Sequence, residues 1–504
     1  MGAQPSGAEG AERGAEGTER GAEGTARGAE GTARGAEGTE RGAEGTARGS
    51  SWIARRPGLE DAAATWLAER DRRLASADRR ARSLMRPSLG TGSFLRLGQL
   101  ASQTAPALVP AIAARDGEAA VRALAQAALK GGPTYVKLGQ LISTTTGLAP
   151  DWITEPFAGC RDAVPPASSV AIAGVLRRSG VDRGLASWDP EPMASASVAQ
   201  VHAAVLHDGT DVVVKVRRPG VVRTVAADAS YLLPALMVAE LTNERLRLAN
   251  LRGIVELMIR LFAQEVDLRL EATNIVEMAL AFERAGLDVE VPAPIPGLVT
   301  KRALVMERVD GVSTADMDAV AGYGHVAADL VRLAIVAVLE TTFVDGIFHG
   351  DLHPGNVFVT ERGLALLDFG IVGRLTPIQR GSLIRLLTAG MAEDQTGVLE
   401  ALKDFGALPP DADLSTLVEL LPAPPTMEQR RAFIADPSLM EDRLSQIIRA
   451  LHASGFRVPP ELTLFVKNAL YLNDAIMRHA PDFDVVGELM GMLPRLLTLG
   501  SPDN

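Results

Sequence analysis

The sequence contains few cysteines and aromatic residues. Of its 504 residues, one is a cysteine and 4% are aromatic. A single thiol, Cys160, cannot form an internal disulfide, and no Cys/His cluster has the spacing of zinc ligands, which favours a reducing compartment and argues against a structural metal. The net charge of −11 gives no global footprint for nucleic acid, so we expect no nucleic-acid partner.

The chain also lacks an uncharged apolar run of about 20 residues, the length that spans a bilayer. Its first residues contain no apolar segment typical of a signal peptide, and the most apolar windows, 329–348 and 485–500, both carry charged residues. We therefore expect a cytoplasmic protein whose membrane association, if any, is peripheral on the inner face of the membrane.

The first fifty residues are dominated by a repeat. Residues 7–48 are six copies of a seven-residue unit with two glycines in each copy and no apolar side chain larger than alanine. Such a unit has nothing to bury, so the pattern predicts a disordered tail rather than a coiled coil.

Residues 54–86 carry nine arginines against five acidic residues. This composition allows two interpretations: a basic helix on an anionic membrane surface, or a solvated helix with Glu/Arg pairs four residues apart. Residues 94–130 then show helical spacing of apolar and small residues and end at Gly131, Gly132 and Pro133, which predicts a helical region followed by a stop.

From about residue 185 the apolar period changes to two. Alternating runs at 199–206 and 211–216, joined through Asp208 and Gly209, predict a β-hairpin. A long helical stretch over about 222–285, a strand at 304–309 and a mostly helical remainder follow. The pattern predicts an α+β fold in which a small strand-rich lobe precedes a larger helical lobe.

Residues 349–370 carry the most informative chemistry. Two apolar runs flank a glycine-containing turn near 357–367, so they should pair as a hairpin and bring Asn356 beside Asp368. An amide oxygen and a carboxylate at one point are ligands that Mg²⁺ accepts when phosphates complete its shell. Asp351, five residues before Asn356, can reach the same space as a base for an attacking oxygen.

Lys215 interrupts a valine-rich predicted strand. A lysine in a half-buried strand is costly unless it pairs, and a phosphate together with a carboxylate would be suitable partners. Alternation along the strand would also allow this lysine to face solvent. The carboxylate should come from the helix that follows, which offers Glu265, Asp267 and Glu271. On one continuous helix Glu265 and Glu271 point about 240° apart, so they should serve different partners.

This ordered set of residues resembles the protein-kinase-like superfamily, and specifically the UbiB family of atypical kinases, also called ABC1 or AarF. Lys137, Gly139 and Gln140 match the family's Lys-x-Gly-Gln signature. The segment from Ala194 to Ser197 matches the Ala-rich loop that stands where ordinary kinases have a Gly-rich phosphate loop. The resemblance covers residues 130–380 firmly and implies a two-lobed kinase-like fold.

The resemblance also implies ATP and Mg²⁺ as cofactors and assigns roles to particular residues. The implied catalytic residues are Asp351, Lys215 with its ion-pair partner Glu271, and Lys137 paired with Glu265. The implied nucleotide-binding residues are Ala194, Ser195, Ala196, Ser197, Lys215 and the hinge residues Met306 and Glu307. The implied metal ligands are Asn356 and Asp368. The implied organisation is a tail (1–50), a helical region (51–130), a family-specific extension (131–184), a small lobe (185–310) and a large lobe (311–504).

In the family, the Lys-x-Gly-Gln segment folds over the site where a protein substrate would dock. A loop of Ala and Ser also adopts positive φ less readily than Gly, so it should cradle phosphates less flexibly. Both features imply restricted phosphorylation of proteins and favour ATP hydrolysis or a small or lipid-like acceptor. The resemblance places this activity in isoprenoid-quinone or other lipid metabolism at the membrane surface. Implied partners are anionic membranes, isoprenoid-quinone precursors and lipid-pathway enzymes.

Two alternatives stay open from the sequence. The His-Gly-Asp-x-His motif at 349–353 also suits small-molecule phosphotransferases of the aminoglycoside or choline kinase kind, and a nucleotide-binding scaffold without catalysis would carry the same pocket. The segment after Ser143 lacks the Arg and Asp that commonly continue the family signature. We expect His202 and His353 to act in packing and turn formation, and we assign no role to Cys160.

Overall fold

The computed structural model describes most of the chain. The described residues are 51–86, 91–114, 116–143, 155–160, 165–242, 251–423, 447, 450–451, 454–485, 487–488, 490–492 and 494. The predicted repeat tail at 7–48 and the residues after Ser143 that depart from the family signature lie outside them.

Helices fill the described part of the chain that precedes the sheet. They are α1 (Leu59–Ala68), α2 (Arg70–Met85), α3 (Thr91–Ala113), α4 (Gly117–Gly131), α5 (Pro133–Ser143) and α6 (Ser169–Ser179), with a 3₁₀ turn at Glu155–Cys160. The predicted stop is confirmed, because α4 ends at Gly131 and Gly132 has a φ of 87° that breaks the helix before α5 begins.

The arginine-rich stretch forms α1 and α2, and its arginines are used within the protein. Arg73 pairs with Glu69, and Arg82 pairs with Asp78 at 2.8 Å, both four residues apart. Arg80 donates to the backbone oxygen of Ala263 at 2.8 Å. These contacts favour the interpretation as solvated helices with Glu/Arg pairs over a basic helix whose arginines bind an anionic membrane surface.

An antiparallel sheet forms the small lobe. Its strands are β1 (Leu185–Trp188), β2 (Ala194–Ser195), β3 (Ala199–Leu206), β4 (Asp211–Arg217), β5 (Pro294–Val299) and β6 (Ala303–Glu307). The strand order is β1-β3-β4-β6-β5, with β2 paired to β3. The predicted hairpin is confirmed as β3 and β4, which pair from Val205 opposite Asp211 to Ala199 opposite Arg217.

Alternation along β4 decides which side of the sheet carries chemistry. Val212, Val214 and Val216 are fully buried and pack against helix α6 on one face. Lys215 therefore projects from the opposite face of the sheet, where it is 6% exposed. Alternation alone also allowed a lysine that faces solvent, and the structure shows that Lys215 is buried.

The helical stretch expected over 222–285 is not one helix. It comprises α7 (Val221–Thr242), α8 (Leu251–Glu265) and α9 (Leu268–Ala285). The break between α8 and α9 falls at Asp267, whose φ of −116° and ψ of 87° are not helical and whose carboxylate binds Arg269 at 2.8 Å. Glu265 and Glu271 consequently lie on different helices, so the angle calculated for one helix does not apply.

Helix α7 contains one window, Val221–Val238, that is long and apolar enough to cross a membrane by length and composition. It is the one such helix in the described part of the chain, and a third of that window is buried inside the protein. The same window carries the fully buried Asp228, which pairs with Arg96 at 3.1 Å and accepts from Tyr231 at 2.8 Å.

The large lobe is mainly helical, as predicted. Its helices are α10 (Met317–Ala321), α11 (Ala327–Glu340), α12 (Pro377–Met391), α13 (Gln395–Phe405), α14 (Leu414–Leu420) and α15 (Pro460–His479). Its short strands are β7 (Val312–Ser313), β8 (Ile347–His349), β9 (Val357–Thr360), β10 (Gly363–Leu366) and β11 (Val372–Arg374). The predicted hairpin is β9 and β10, and β8 pairs with β11.

Gly139 packs closely against Cys160, which gives that cysteine a structural role. A Cβ at position 139 would lie 2.5 Å from the Sγ of Cys160 and 3.2 Å from Phe157. Cys160 is fully buried, so its side chain has no solvent to move into. The glycine of the Lys-x-Gly-Gln signature is therefore required by packing at this point.

We expect Gly139→Ala to lower the free energy of unfolding by about 1–3 kcal/mol, because overpacking displaces neighbouring atoms. Adding Cys160→Ala should recover part of the loss by removing the nearest atom. Gly98→Ala is the matched control, since nothing lies within 4 Å of its added methyl group and α3 should be unchanged or slightly more stable. Thermal unfolding of the variants measures this, and equal midpoints for Gly139→Ala and Gly98→Ala would contradict it.

Candidate active site

Lys215 is buried and pairs with two carboxylates. Its Nζ donates to Glu271 Oε1 on α9 at 2.7 Å and to Asp368 Oδ1 after β10 at 2.8 Å. Burial by itself would lower the pKa of Lys215, but the carboxylates of Asp368 and Glu271 hold it above its usual value. Burial raises the pKa of Glu271 to about 7 against the opposing charge of Lys215.

Asp368 is held in an uncommon backbone conformation. Its φ is 53°, in the left-handed region that non-glycine residues seldom adopt and that clusters at functional sites. Its Oδ1 accepts from the backbone N–H of Gly370 at 3.1 Å as well as from Lys215. Burial would raise the pKa of Asp368, but Lys215 and the Gly370 N–H lower it to about 2.

The β9–β10 hairpin brings Asn356 to Asp368. The backbone N–H of Leu367 donates to the backbone oxygen of Asn356 at 2.9 Å, which places Asp368 one residue away. The side-chain nitrogen of Asn356 donates to the backbone oxygen of Asp351 at 3.0 Å. The amide of Asn356 thus ties the loop that carries Asp351 to the hairpin.

Asp351 binds a lysine that sequence reasoning missed. Lys467, 116 residues later on α15, donates to Asp351 Oδ1 at 2.7 Å. Burial would raise the pKa of Asp351, but Lys467, assisted by Lys137, holds it below its usual value. Lys467 stands in an ordinary amphipathic helix, so the sequence offers no motif that would have identified it.

A buried histidine and an asparagine fix the loop around Asp351. His349 accepts from the backbone N–H of Asp351 through Nδ1 at 3.1 Å, and its Nε2 bonds the backbone oxygen of Leu367 at 3.2 Å. Burial lowers the pKa of His349, so the ring is neutral and Nε2 carries its proton. Asn468 accepts from Leu352 N–H at 3.2 Å and donates to the oxygen of His349.

The family signature lies beside these charges. Lys137 on α5 forms an ion pair with Glu265 at the end of α8. Burial opposes a charge on Lys137, but Glu265, and further away Asp351 and Asp368, raise its pKa above the usual value. Both expected pairs, Lys137 with Glu265 and Lys215 with Glu271, are therefore present as contacts.

The Ala-rich loop closes over the sheet side of the site. Ala194 and Ser195 form β2, and the N–H of Ala196 donates to the oxygen of Ala199 at 2.9 Å in a tight turn. Arg218, another residue the sequence did not single out, donates to the oxygen of Ala196 at 2.7 Å and to Ser195 Oγ at 2.6 Å. Positive φ does not occur between residues 194 and 199, so this turn needs no glycine.

Most of the expected residues meet at one cavity of about 210 Å³, which we call the central cavity. Its walls include Lys137, Gln140, Ala196, Ser197, Lys215, Glu265, Glu271, Asp351, Asn356, Asp368 and Lys467. Met306 and Glu307 are not among its lining residues. They lie on β6, where the N–H of Glu307 donates to the oxygen of Ala293 at 2.9 Å and its carboxylate binds Arg56 at 2.8 Å.

The two predicted metal ligands suit Mg²⁺. Asn356 uses its amide nitrogen on Asp351, so its amide oxygen is the donor atom for a cation. The Asp368 side chain is 41% exposed beside it. In the part of the chain that the structure describes, no cluster of three or more His, Cys, Asp or Glu residues could hold a metal. A pair of oxygen donors fits Mg²⁺, which keeps waters and phosphate oxygens in its shell.

The lone histidines have structural contacts. His202 is buried, bonds the backbone oxygen of Asp189 through Nδ1 at 2.8 Å and packs edge-on against Trp188. His353 accepts from the N–H of Gly355 at 3.0 Å and so caps the short turn at Pro354–Asn356. Both contacts are of the packing and turn-forming kind expected from the sequence.

Comparison with known proteins identifies the family. Residues 159–402 match the ABC1 atypical kinase-like domain. The chain is 33% identical over 367 residues to the uncharacterized protein Rv0647c of Mycobacterium tuberculosis, covering 71% of this chain and 74% of that protein. It is 33% identical over 364 residues to a probable protein kinase UbiB of Azotobacter vinelandii, covering 70% of this chain and 67% of that protein.

Among solved structures, the chain matches that of the Rv3197–erythromycin complex from Mycobacterium tuberculosis. The TM-score is 0.34 at 22% identity, covering 64% of this chain and 89% of that one. The domain match and the identity to UbiB relatives over most of the chain show that the protein belongs to the ABC1, or UbiB, family of atypical kinases and has their kinase-like two-lobed fold.

Proposed function

We propose that the protein is an ATP- and Mg²⁺-dependent atypical kinase or ATPase. The observation that carries the proposal is the convergence of Lys215, Asp351, Asn356 and Asp368 on the central cavity, with Lys215 paired to both Glu271 and Asp368. An isolated acid or lysine would be ordinary. An ammonium group, a base and two oxygen ligands around one cavity are the parts that phosphoryl transfer needs.

In this proposal Lys215 and the turn at Ala196 and Ser197 receive the phosphates of ATP. Asn356 and Asp368 hold Mg²⁺, which when bound supplies positive charge that neutralises the phosphate oxygens. Asp351 accepts the proton of the attacking water or hydroxyl while a bond forms from that oxygen to the γ-phosphorus and the bond to ADP breaks. Lys467 keeps Asp351 ionised for this step, because its charge lowers the pKa of that carboxylate.

The charges of the central cavity support a requirement for Mg²⁺. Three lysines face four carboxylates there, namely Lys137, Lys215 and Lys467 against Asp351, Asp368, Glu265 and Glu271. The protein groups therefore supply no surplus of positive charge to balance the triphosphate. A divalent cation bound with the nucleotide reduces this repulsion.

The acceptor is proposed to be water or a small or lipid-like molecule. The ion pair of Lys137 with Glu265 occupies the side of the cavity next to Asp351, which leaves less room for a protein segment there. By family resemblance we further propose a role in isoprenoid-quinone or other lipid metabolism at the inner membrane surface. Comparing lipid extracts of a deletion strain and its parent tests that role.

Replacing Asp368 tests the proposed chemistry. We expect Asp368→Asn to reduce Mg²⁺-dependent phosphate release from ATP by roughly a hundredfold, because it removes a charged ligand of the Mg²⁺ that would neutralise the phosphates. The control is Asp394→Asn, which keeps an acceptable cap at the start of α13 and should retain full activity.

Both proteins are assayed for binding of a fluorescent ATP analogue and for phosphate release, with and without anionic liposomes. Absence of nucleotide binding by the unaltered protein in both conditions would refute the proposed function. Full loss of turnover by Asp368→Asn together with a normal cellular phenotype would instead support a scaffold.

Replacing Lys467 tests the proposed role of Asp351. Lys467 holds the pKa of Asp351 low, so its ionised form persists at acid pH. Lys467→Met should raise that pKa and move the acidic limb of the pH–rate profile to higher pH. Lys467→Arg should largely restore the profile. Lys403→Met is the control, because the amino group of Lys403 donates its hydrogen bond to a backbone oxygen. An unchanged acidic limb in Lys467→Met would contradict the assignment.

A further inference from the structure

A second cavity of about 340 Å³ lies behind the catalytic loop, which we define as residues 349–356. Its walls are helix α11, helix α15, strands β9 and β10 and the loop itself. None of the roles proposed for the central cavity uses this space. Met278 and Phe282 of helix α9 also line it, and it is larger than the central cavity.

The lining of the second cavity is mainly aliphatic. Helix α11 presents one face to it, through Leu330, Ala334 and Val338 at spacings of four residues. Val357, Leu366 and Leu472 form the facing walls. An apolar lining of this kind binds apolar molecules and gives a hydrophilic ligand no compensation for its lost water.

Two pairs of polar side chains on the wall contact each other. His353 and Tyr471 line both cavities, and their rings meet edge-on with centroids 5.7 Å apart. At the rim, Asp474 and Arg478 pair with each other at 2.9 Å, so their charges are balanced locally. Thr314, Thr341 and His349 also line the cavity, but each already has a hydrogen bond within the protein, and His479 follows Arg478 in the chain. A ligand therefore meets the His353–Tyr471 wall as its main polar surface and mostly apolar side chains elsewhere.

The volume limits the size of this ligand. An apolar cavity of about 150 Å³ accommodates benzene, so 340 Å³ suits a molecule of roughly ten to fourteen non-hydrogen atoms. We propose that the second cavity is a binding site for a neutral, apolar alcohol of this size, with its hydroxyl against His353 and Tyr471. Its occupant would lie one wall away from Asp351, and the binding does not depend on the proposed phosphoryl transfer.

Binding of n-decanol to the full chain tests the proposal by isothermal titration calorimetry. Ala334→Phe fills the cavity from α11 and Ala475→Phe fills it from α15, so each should weaken decanol binding at least tenfold. Ala328→Phe, on the exposed face of α11, is the matched control and should bind decanol like the unaltered protein. Decanoate, which adds a charge, should bind at least tenfold more weakly than decanol.

Binding of a fluorescent Mg²⁺–ATP analogue is measured on the same samples. Unchanged nucleotide binding by Ala334→Phe or Ala475→Phe shows that the variant is folded and that its decanol result concerns the second cavity. This inference is overturned if the unaltered protein does not bind decanol, or if both filled variants bind it undiminished. The proposed function is judged separately, by the nucleotide binding. Equal binding of decanoate and decanol overturns the neutral-ligand class.

Discussion

The buried ammonium group of Lys215 is the interaction on which the site depends. A charge removed from water must be paired, and breaking such a buried pair costs about 3–5 kcal/mol because the remaining charge is stranded. Lys215 satisfies this requirement with Glu271 from α9 and Asp368 from the end of the β9–β10 hairpin. One side chain thereby connects the sheet, helix α9 and the large lobe. Binding of phosphates must compete with the carboxylate of Asp368 for the same amino group.

A second ion pair ties the N-terminal helices to this centre. Lys137 on α5 reaches Glu265 at the end of α8, and the close contact of Gly139 with Cys160 fixes how α5 packs. The backbone break at Asp267 puts Glu265 and Glu271 on different helices, and each pairs with a different lysine. The packing of Gly139 against Cys160 thus helps to position Lys137, on the same helix, beside Glu265.

The catalytic loop is held from behind by helix α15. Lys467 and Asn468 are adjacent on this helix, and they bind the side chain of Asp351 and the backbone at Leu352. Tyr471, one turn further along, forms part of the wall between the central and second cavities. The same helix therefore sets the charge state of Asp351 and borders the apolar space behind it.

Local pattern was enough to predict the order of the lobes and the β3–β4 and β9–β10 hairpins. Alternation and turn residues act over a few positions, so the sequence itself determines them. Lys467, Arg218 and the packing of Cys160 could not be predicted, because each depends on a contact between segments far apart in the chain. The break at Asp267 and the second cavity likewise follow from how helices pack, and only the tertiary structure decides that.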